Sequence, residues 1–433
     1  MSPLEIGFVC MGILCLLLFM GVPVGITMGV VGFAGMVWLS GLNAGLGILK
    51  TVPLATVSNY DYSVIPLFLL MGGLCFHSGL SGSLFRTTNK WLGRLPGGLA
   101  MATVGGCAIF ASVSGSAVAT TATICTAALP EMRKYKYDSS LATACIAAGG
   151  TIGVLIPPSV PLMIYGILTQ QSIGKLFLAG FIPGVLQAIF YIVTIYILCK
   201  RNPLLGPRGP KTSLREKVSS LKDIWKVLFL FIFVIGGIYS GIFTPIEAAG
   251  IGAFFAFIFF ALAAKGLRQK FIEVLLDTCK TTAMVVLIII GAAIFNYFLA
   301  VTRLPAEIAN IVSDLHVSRH IVLALIVVVY LILGTAMDEL AMILLTIPIF
   351  FPLVESLGFN PIWFGIIIIK VFEIGAISPP VGMTIYVTYG MAKDVPLPVI
   401  FRGVIPFIIS DLCHTFFLIV FPQVALFLPD LMK

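Results

Sequence analysis

The chain has 433 residues, of which 59% are hydrophobic and only 10% are charged, and its formal net charge is +8. Soluble proteins carry about 25% charged residues, so this composition excludes a soluble domain and predicts a multi-pass membrane protein. A sheet with open edges cannot satisfy its backbone in lipid, and the alternating strands of a barrel are not visible. The spans are therefore predicted to be α-helices.

Positive charges are concentrated in a few loops between the apolar segments. They are Arg86, Lys90 and Arg94; Arg133, Lys134 and Lys136; eight residues from Lys200 to Lys226; and Lys265, Arg268 and Lys270. The positive-inside rule assigns these four loops to the cytoplasm. No motif indicates nucleic-acid binding, so we interpret the charges as residues of the membrane surface.

The segment 96–130 lies between two of these basic loops, so it must enter and leave the membrane on the cytoplasmic side. Two full spans need about 40 residues and a turn, which this segment is too short to supply. Its centre, "SVSGSAVAT" at 112–120, consists of small residues. We predict a re-entrant hairpin of two half-depth helices that opens to the cytoplasm.

The next apolar segment contains "GGTIGVLIPPSVPLMIYG", residues 149–166, with adjacent prolines at Pro157 and Pro158. A proline inside a helix removes a backbone donor and costs about 3 kcal/mol. Membrane proteins accept irregular backbone only where it is buried in protein or lines a cavity. We therefore predict a helix over 139–170 that is broken at the double proline and lines a binding site.

The second half of the chain repeats this order. Residues 321–353 form another segment that is too short for two spans, and its flanks are not rich in Lys or Arg, so this hairpin is predicted to open to the periplasm. It is followed by "FEIGAISPPVGMTIYVTYG" at 372–390, in which Pro379 and Pro380 lie 222 residues after the first pair. We predict a second broken helix over 361–392.

These matches divide the chain into two repeats, 1–199 and 227–433, joined by a basic cytoplasmic linker at 200–226. Each repeat is predicted to contain about five spanning helices, one of them broken, and one re-entrant hairpin. Because an odd number of crossings reverses the second copy, the repeats are inverted. The predicted fold is thus an all-α polytopic membrane protein with the architecture of a secondary transporter.

Broken helices free carbonyl groups that can coordinate a hard cation, and half-helix N-termini attract anions. The hairpin tips add hydroxyl oxygens, which hard cations also accept as ligands. These hydroxyls belong to Ser112, Ser114, Ser116, Thr120 and Thr335. For any one of these residues the alternative is a purely structural role, in which the hydroxyl bonds to its own helix or the small side chain allows close packing. For the two clusters together we favour ion binding.

Six motifs, in this order, closely resemble the large membrane subunit of tripartite ATP-independent periplasmic (TRAP) transporters, the DctM-like family. They are "GVPVGITMG" (21–29), "SGSAVATTA" (114–122), "GGTIGVLIPPS" (149–159), "GIFTPIEAAGIGA" (241–253), "LGTAMDELA" (333–341) and "IGAISPPVGMTIYV" (374–387). The resemblance covers essentially the whole chain. It implies a sodium-coupled importer with an elevator-like movement, whose substrate is a small organic acid such as a C4-dicarboxylate, a sialic acid or a 2-oxo acid.

The resemblance also implies partners and a location. The partners are a small four-helix membrane subunit and a periplasmic substrate-binding protein, and the location is the bacterial inner membrane. Sodium is expected as the coupling ion, and no other cofactor is expected.

Carried over by position, the resemblance implies two sodium sites. The first comprises Ser112, Ser114, Ser116, Gly150, Thr151 and Gly153, and the second comprises Gly334, Thr335, Met337, Gly375 and Ser378. The substrate is expected between the tips, near Ser116, Thr120, Ser159, Asp338 and Thr384. Because Met337 offers no coordinating side chain, the resemblance supports two sites more strongly than it supports any particular ligand.

Charged residues inside the membrane are costly and indicate function by default. Asp338 and Glu339 follow the second tip, while Lys370 and Glu373 precede the second double proline. Asp338 would repel an anion, so we expect it to face a cation, water or a helix dipole. Lys370 and Arg402 are candidate partners for these acids or for a substrate carboxylate.

Three other functions compete with this interpretation. A self-sufficient sodium/dicarboxylate symporter of related architecture is the main alternative. An intramembrane enzyme is disfavoured because there is no HExxH motif and no histidine spaced to serve the tip serines. A passive channel is disfavoured because paired re-entrant tips would block a fixed pore.

Overall fold

The computed structural model describes residues 1–78, 80–209, 212–263, 267–314 and 317–432. Lys265, in the fourth basic loop, lies outside these residues. Regular structure in the described ranges is helical throughout, without a strand. Six of the helices are long and apolar enough to cross a membrane, or up to seven if a bent pair is counted as one span. The predicted all-α polytopic fold class is confirmed.

The first repeat contains ten α-helices and one short 3-10 turn. Their bounds are α1 Pro3–Phe19, α2 Val24–Ser40, α3 Leu42–Val57, the 3-10 turn Tyr60–Ser63, α4 Val64–His77, α5 Leu80–Leu92, α6 Gly98–Ser114, α7 Ala117–Lys134, α8 Ser139–Leu155, α9 Val160–Thr169 and α10 Ile173–Arg201. In the linker, α11 spans Leu214–Ser220 and a second 3-10 turn spans Leu221–Asp223.

The remaining helices follow the linker. Their bounds are α12 Trp225–Tyr239, α13 Pro245–Ala263, α14 Leu267–Thr302, α15 Leu304–Asp314, α16 Arg319–Ala336, α17 Glu339–Ser356, α18 Pro361–Ala376, α19 Met383–Met391, α20 Leu397–Val420 and α21 Gln423–Leu431.

The displacement of 222 residues between the two double prolines also relates the helices. Shifted by this amount, the bounds of α5 to α10 fall within three residues of those of α15 to α20. The correspondence fails in two places, because α3 and α4 together match the single continuous helix α14, and α21 matches no helix of the first repeat. The side of the membrane that each hairpin faces stays a prediction.

The two hairpins are α6–α7 and α16–α17, and their arms contain 17 or 18 residues each. At about 1.5 Å per residue such an arm is about 25 to 27 Å long, which approaches the thickness of the hydrocarbon core. The arms are therefore longer than the half-depth helices that the sequence predicted. One reason is that α7 continues past the apolar segment to Lys134, because its polar last turn still favours helix.

The broken helices form the centre of the molecule. Every residue from Leu141 to Leu155 in α8 is buried, and so is every residue from Trp363 to Ala376 in α18. Each broken helix also contacts the hairpin of the other repeat, since α9 packs on α17 and α19 packs on α7. The two repeats are thus interleaved at the breaks.

The basic linker is fastened to the first repeat by backbone hydrogen bonds. Gly97 N–H donates to Gly206 O at 2.9 Å, and Gly209 N–H donates to Gly93 O at 2.8 Å. The hydroxyl of Tyr137 donates to Pro207 O at 2.9 Å. Burial raises the pKa of Tyr137 well above its usual value, so the hydroxyl keeps this proton. The linker therefore lies across the start of the first hairpin.

Candidate functional site

A cavity of about 450 Å³ lies between the two hairpin tips and two other helices. The first tip contributes Ser114, Gly115 and Ser116, and the second contributes Asp338, Glu339 and Leu340. The opposite wall is formed by α4 and α14. Its polar lining residues are His77, Asp277, Thr278 and Thr281. Both tips therefore line one cavity, and the substrate site between them stays a prediction.

The first tip is a tight turn held by its own side chains. Gly115 has φ of +62°, a conformation that glycine adopts without strain, and it ends α6. Ser116 caps α7 by accepting a hydrogen bond from the N–H of Ala119. Across the turn, the hydroxyls of Ser114 and Thr120 are hydrogen-bonded at 2.7 Å. The tip thus places two hydroxyl oxygens side by side beside the cavity.

The first break packs directly on this tip. A Cβ atom on Gly153 would lie 2.8 Å from Thr120 Oγ1 and 2.9 Å from Ser116 O, so only glycine allows α8 to approach so closely. Gly150 is similarly close to Thr121, and Gly115 is close to the carbonyl oxygen of Pro158. We call this contact between the first tip and the first break the first junction.

At the second tip and the second break, backbone lies directly against backbone. A Cβ atom on Gly375 would lie 2.7 Å from both Gly334 Cα and Gly334 O, so α16 and α18 touch at two glycines. Met337 is extended, and Asp338 caps α17 by accepting a hydrogen bond from Leu340 N–H at 3.3 Å. We call this contact the second junction.

The predicted sodium residues fall into two groups. Those at the junctions themselves are Ser114, Ser116, Gly150, Gly153, Gly334, Met337 and Gly375. The hydroxyls of the others donate to carbonyl oxygens of their own helices: Ser112 to Ile109, Thr151 to Ala148, Thr335 to Ile332 and Ser378 to Ile374. Each of these hydroxyl oxygens keeps a free lone pair with which it can accept or coordinate.

The predicted substrate residues are divided differently. Ser116 and Asp338 line the cavity, whereas Thr120, Ser159 and Thr384 are fully buried and are not part of its described lining. Ser159 caps α9, and Thr384 donates to Ala376 O at 3.1 Å across the second break. The double prolines also differ, because Pro157 and Pro158 are buried while Pro379 and Pro380 are exposed.

The sequence reasoning missed the wall formed by α4 and α14. The signal was present, because "DTCKTT" at 277–282 is a polar run directly before the apolar stretch 283–295 of a 36-residue helix. An acidic residue such as Asp277 within a span indicates function by default. No feature of the sequence, however, indicated that this helix packs opposite the tips.

A fully buried polar network joins the two broken helices. Lys370 Nζ lies 3.0 Å from Glu373 Oε2 and 2.5 Å from Asp411 Oδ1. Tyr191 donates to Asp411 Oδ2 at 2.5 Å, and Gln187 Nε2 lies 3.5 Å from both Asp411 Oδ1 and Thr151 Oγ1. We call these six residues the polar bridge. The sequence identified Lys370 and Glu373 as costly charges but not their partners on α10 and α20.

Paired hairpins, interleaved broken helices and a shared cavity define a multi-pass membrane transporter built from two repeats. Residues 11–424 match the family model described as "Tripartite ATP-independent periplasmic transporter, DctM component". The chain belongs to this family, as the motif resemblance indicated.

Characterised relatives match almost the whole chain. It is 35% identical over 416 residues to the sialic acid TRAP transporter large permease protein SiaM of Vibrio cholerae, covering 96% of each chain. It is 36% identical over 376 residues to the C4-dicarboxylate TRAP transporter large permease protein DctM of Pseudomonas aeruginosa, covering 87% of each. These relatives are transporter permeases and not enzymes.

The fold is similar to that of solved transporter structures. The Alcanivorax borkumensis YdaH transporter superimposes with a TM-score of 0.62, covering 88% of this chain and 89% of that chain, at 16% sequence identity. At this identity the similarity concerns the fold alone.

Proposed function

We propose that this chain is the membrane permease that carries a small organic acid across the bacterial inner membrane, driven by sodium. The observation that supports this proposal most strongly is the cavity between the two tips, flanked by two junctions rich in oxygen atoms. The relatives transport sialic acid and C4-dicarboxylates, which are organic acids of a size that such a cavity can hold.

The electrostatics of the cavity favour a coupled cation. Its described lining includes the acids Asp277, Asp338 and Glu339, and no Lys or Arg. An organic anion would be repelled by these carboxylates, and the repulsion is strong where water is excluded. Sodium ions bound at the junctions would offset it. Coupling then follows from charge, because the anion is accepted only when the cations are present.

The oxygen atoms available at the junctions are suitable ligands for sodium. Hard cations take hydroxyl and carbonyl oxygens as ligands. At the first junction these would be the hydroxyls of Ser114, Ser116 and Thr120 with carbonyl groups near Gly153. At the second they would be carbonyl groups near Gly334 and Gly375, with Thr335 and Ser378 close by. The N-termini of α7 and α17 also lie at the tips, where the positive ends of the helix dipoles attract a carboxylate.

We extend the proposal to partners and movement by family membership. A small membrane subunit would form a scaffold, a periplasmic binding protein would deliver the acid, and the junctions with their hairpins would move together as a transport unit. The interleaving of α9 with α17 and of α19 with α7 supports movement as one body.

Uptake by reconstituted protein tests this proposal. Proteoliposomes would contain the chain with or without its small subunit, and labelled C4-dicarboxylates, sialic acid and 2-oxo acids would be offered with or without the binding protein. We expect uptake only with an inward sodium gradient, the small subunit and the binding protein. Sodium-driven uptake by this chain alone would instead establish the self-sufficient symporter. Uptake that does not depend on sodium would contradict both the tripartite permease and the self-sufficient symporter.

A further inference from the structure

The two ends of the polar bridge occupy equivalent positions in the two repeats. Thr151 in α8 and Glu373 in α18 are 222 residues apart, the displacement that relates the two double prolines. Lys370 is likewise equivalent to Ala148. The bridge therefore runs from a position beside one junction to the same position beside the other, through residues of α10 and α20.

Packing alone does not require these residues. Burying an ammonium group and two carboxylates is costly, and well-packed apolar side chains of similar size are often as stable or more stable. The first repeat fills the equivalent positions with Ala148 and Thr151, without any charge. Two bridge atoms, Gln187 Oε1 and Glu373 Oε1, also lack a hydrogen-bond partner within the part of the chain described here. Stability alone therefore gives no reason for this network.

The two ends of the bridge adjoin the two junctions along the chain. Thr151 lies between Gly150 and Gly153, which pack on the first tip, and Glu373 precedes by two residues Gly375, which packs on the second. In between, Lys370 is held by Asp411, which also accepts from Tyr191 and Gln187. Hydrogen bonds in such a dry environment are strong and directional, so a shift of one end changes the geometry at the other.

We propose that Gln187, Tyr191, Asp411 and Lys370 are positioning residues that couple the two junctions, so that sodium binding at one strengthens binding at the other. This inference rests on the proposed sodium-driven function. None of the four residues contacts the cavity or supplies a predicted ion ligand. They act through Thr151 and Glu373, which fix the backbone of the two broken helices.

The test compares conservative variants within α10. Tyr191→Phe removes only the hydroxyl that donates to Asp411, and Gln187→Met removes the amide while keeping its length. Tyr196→Phe is the matched control, because Tyr196 lies on the same helix with an exposed ring. Each variant would be reconstituted with its partner subunit and supplied with binding protein. Uptake would be measured as a function of sodium concentration.

We expect Tyr191→Phe and Gln187→Met to raise the half-saturating sodium concentration about threefold and to lower the Hill coefficient, since substitutions along a coupling network change coupling by this order. Tyr196→Phe should match the wild type. A merely structural role would lower the maximal rate and leave the Hill coefficient unchanged. If uptake depends on sodium but both variants keep the wild-type half-saturating concentration and Hill coefficient, the proposed coupling role of the bridge is wrong. The proposed sodium-driven function would be unaffected by that result.

A second measurement tests whether the two ends of the bridge are energetically coupled, and it does not depend on sodium. An absence of sodium dependence in the wild type would refute the proposed function, but it would not affect this measurement. Thermal unfolding of the purified complex would be recorded for Tyr191→Phe, Glu373→Gln and the double variant. Within the described residues Tyr191 and Glu373 share no direct hydrogen bond, and the network joins them through the other bridge residues Gln187, Asp411 and Lys370. The bridge predicts shifts in unfolding temperature that do not add. Additive shifts, as expected for Tyr196→Phe combined with Glu373→Gln, would overturn it.

Discussion

The first and second junctions are built from equivalent segments but by different means. At the first, hydroxyl groups fill the contact, and the double proline Pro157–Pro158 is buried. At the second, two glycines bring backbone against backbone, while Pro379 and Pro380 are exposed. The repeat thus preserves the course of the chain and not its side chains.

This difference shows which atoms carry the proposed function at each junction. Side-chain oxygens are available at the first, so single substitutions there should change ion affinity. In our proposal the second depends mainly on carbonyl groups, which no substitution removes, so changes of backbone position should affect it most. The predictions that follow are ordered from the largest expected effect to the smallest.

Gly375→Ala is expected to have the largest effect. The added Cβ would overlap the backbone of Gly334, which cannot move as a side chain can, and overpacking of this kind costs about 1–3 kcal/mol. We predict loss of uptake and a clearly lower unfolding temperature. Gly390→Ala is the control, because nothing lies within 4 Å of its added Cβ. Normal uptake by Gly375→Ala would show that the glycine contact is not required.

Thr120→Val should have the next largest effect. It removes a fully buried hydroxyl that is paired with Ser114, and leaving such a partner unpaired costs about 1–3 kcal/mol. We predict a higher half-saturating sodium concentration, measured from uptake. Thr335→Val, at the second tip, removes a hydroxyl that donates to its own helix. It should leave the half-saturating sodium concentration near the wild-type value and the free energy of unfolding within about 0.5 kcal/mol of it. Equal effects of the two variants would contradict the difference between the junctions.

Thr87→Val tests the attachment of the linker to the first repeat. The buried Thr87 hydroxyl donates to Ser220 O at 3.0 Å, and its removal should cost about 1 kcal/mol. We expect faster cleavage of the linker by added protease at unchanged sodium affinity. Thr194→Val, whose hydroxyl bonds within its own helix, is the control. A changed sodium affinity in Thr87→Val would show that the linker takes part in ion binding.

Arg133→Ala should have the smallest effect. Arg133, in the last turn of the first hairpin, forms an ion pair with Asp394, just after α19, and both side chains are largely exposed. Exposed pairs contribute about 0–1 kcal/mol and are screened by salt. We predict an unfolding temperature within a few degrees of the wild type at low salt, and no difference at high salt. A large loss that persists in high salt would reveal an additional contact.

Much of the fold could be predicted from the sequence because lipid restricts it so strongly. Apolar length, basic loops and the two double prolines were sufficient for helices, hairpins and repeats. The length of the hairpin arms was not, since α7 continues past the apolar segment into a polar last turn that contains Arg133 and Lys134. The match of α3 and α4 with a single helix also had no sequence signal.

The site was less accessible to sequence reasoning. The tips could be identified by small and hydroxyl-bearing residues, of which Ser116 lines the cavity together with Asp338. The contacts of α14 and the polar bridge could not, because they join residues such as Gln187 and Asp411 that are far apart in the chain. Neither periodicity nor spacing indicates which of several buried helices touch.

Direct binding of radioactive sodium to the purified complex tests the central claim most directly. The account predicts saturable binding that Thr120→Val weakens and Gly375→Ala reduces, with Gly390→Ala equal to the wild type. Binding that is absent in a preparation active in uptake, or that is unchanged in both junction variants, would contradict the proposal that the two junctions hold the coupling ions.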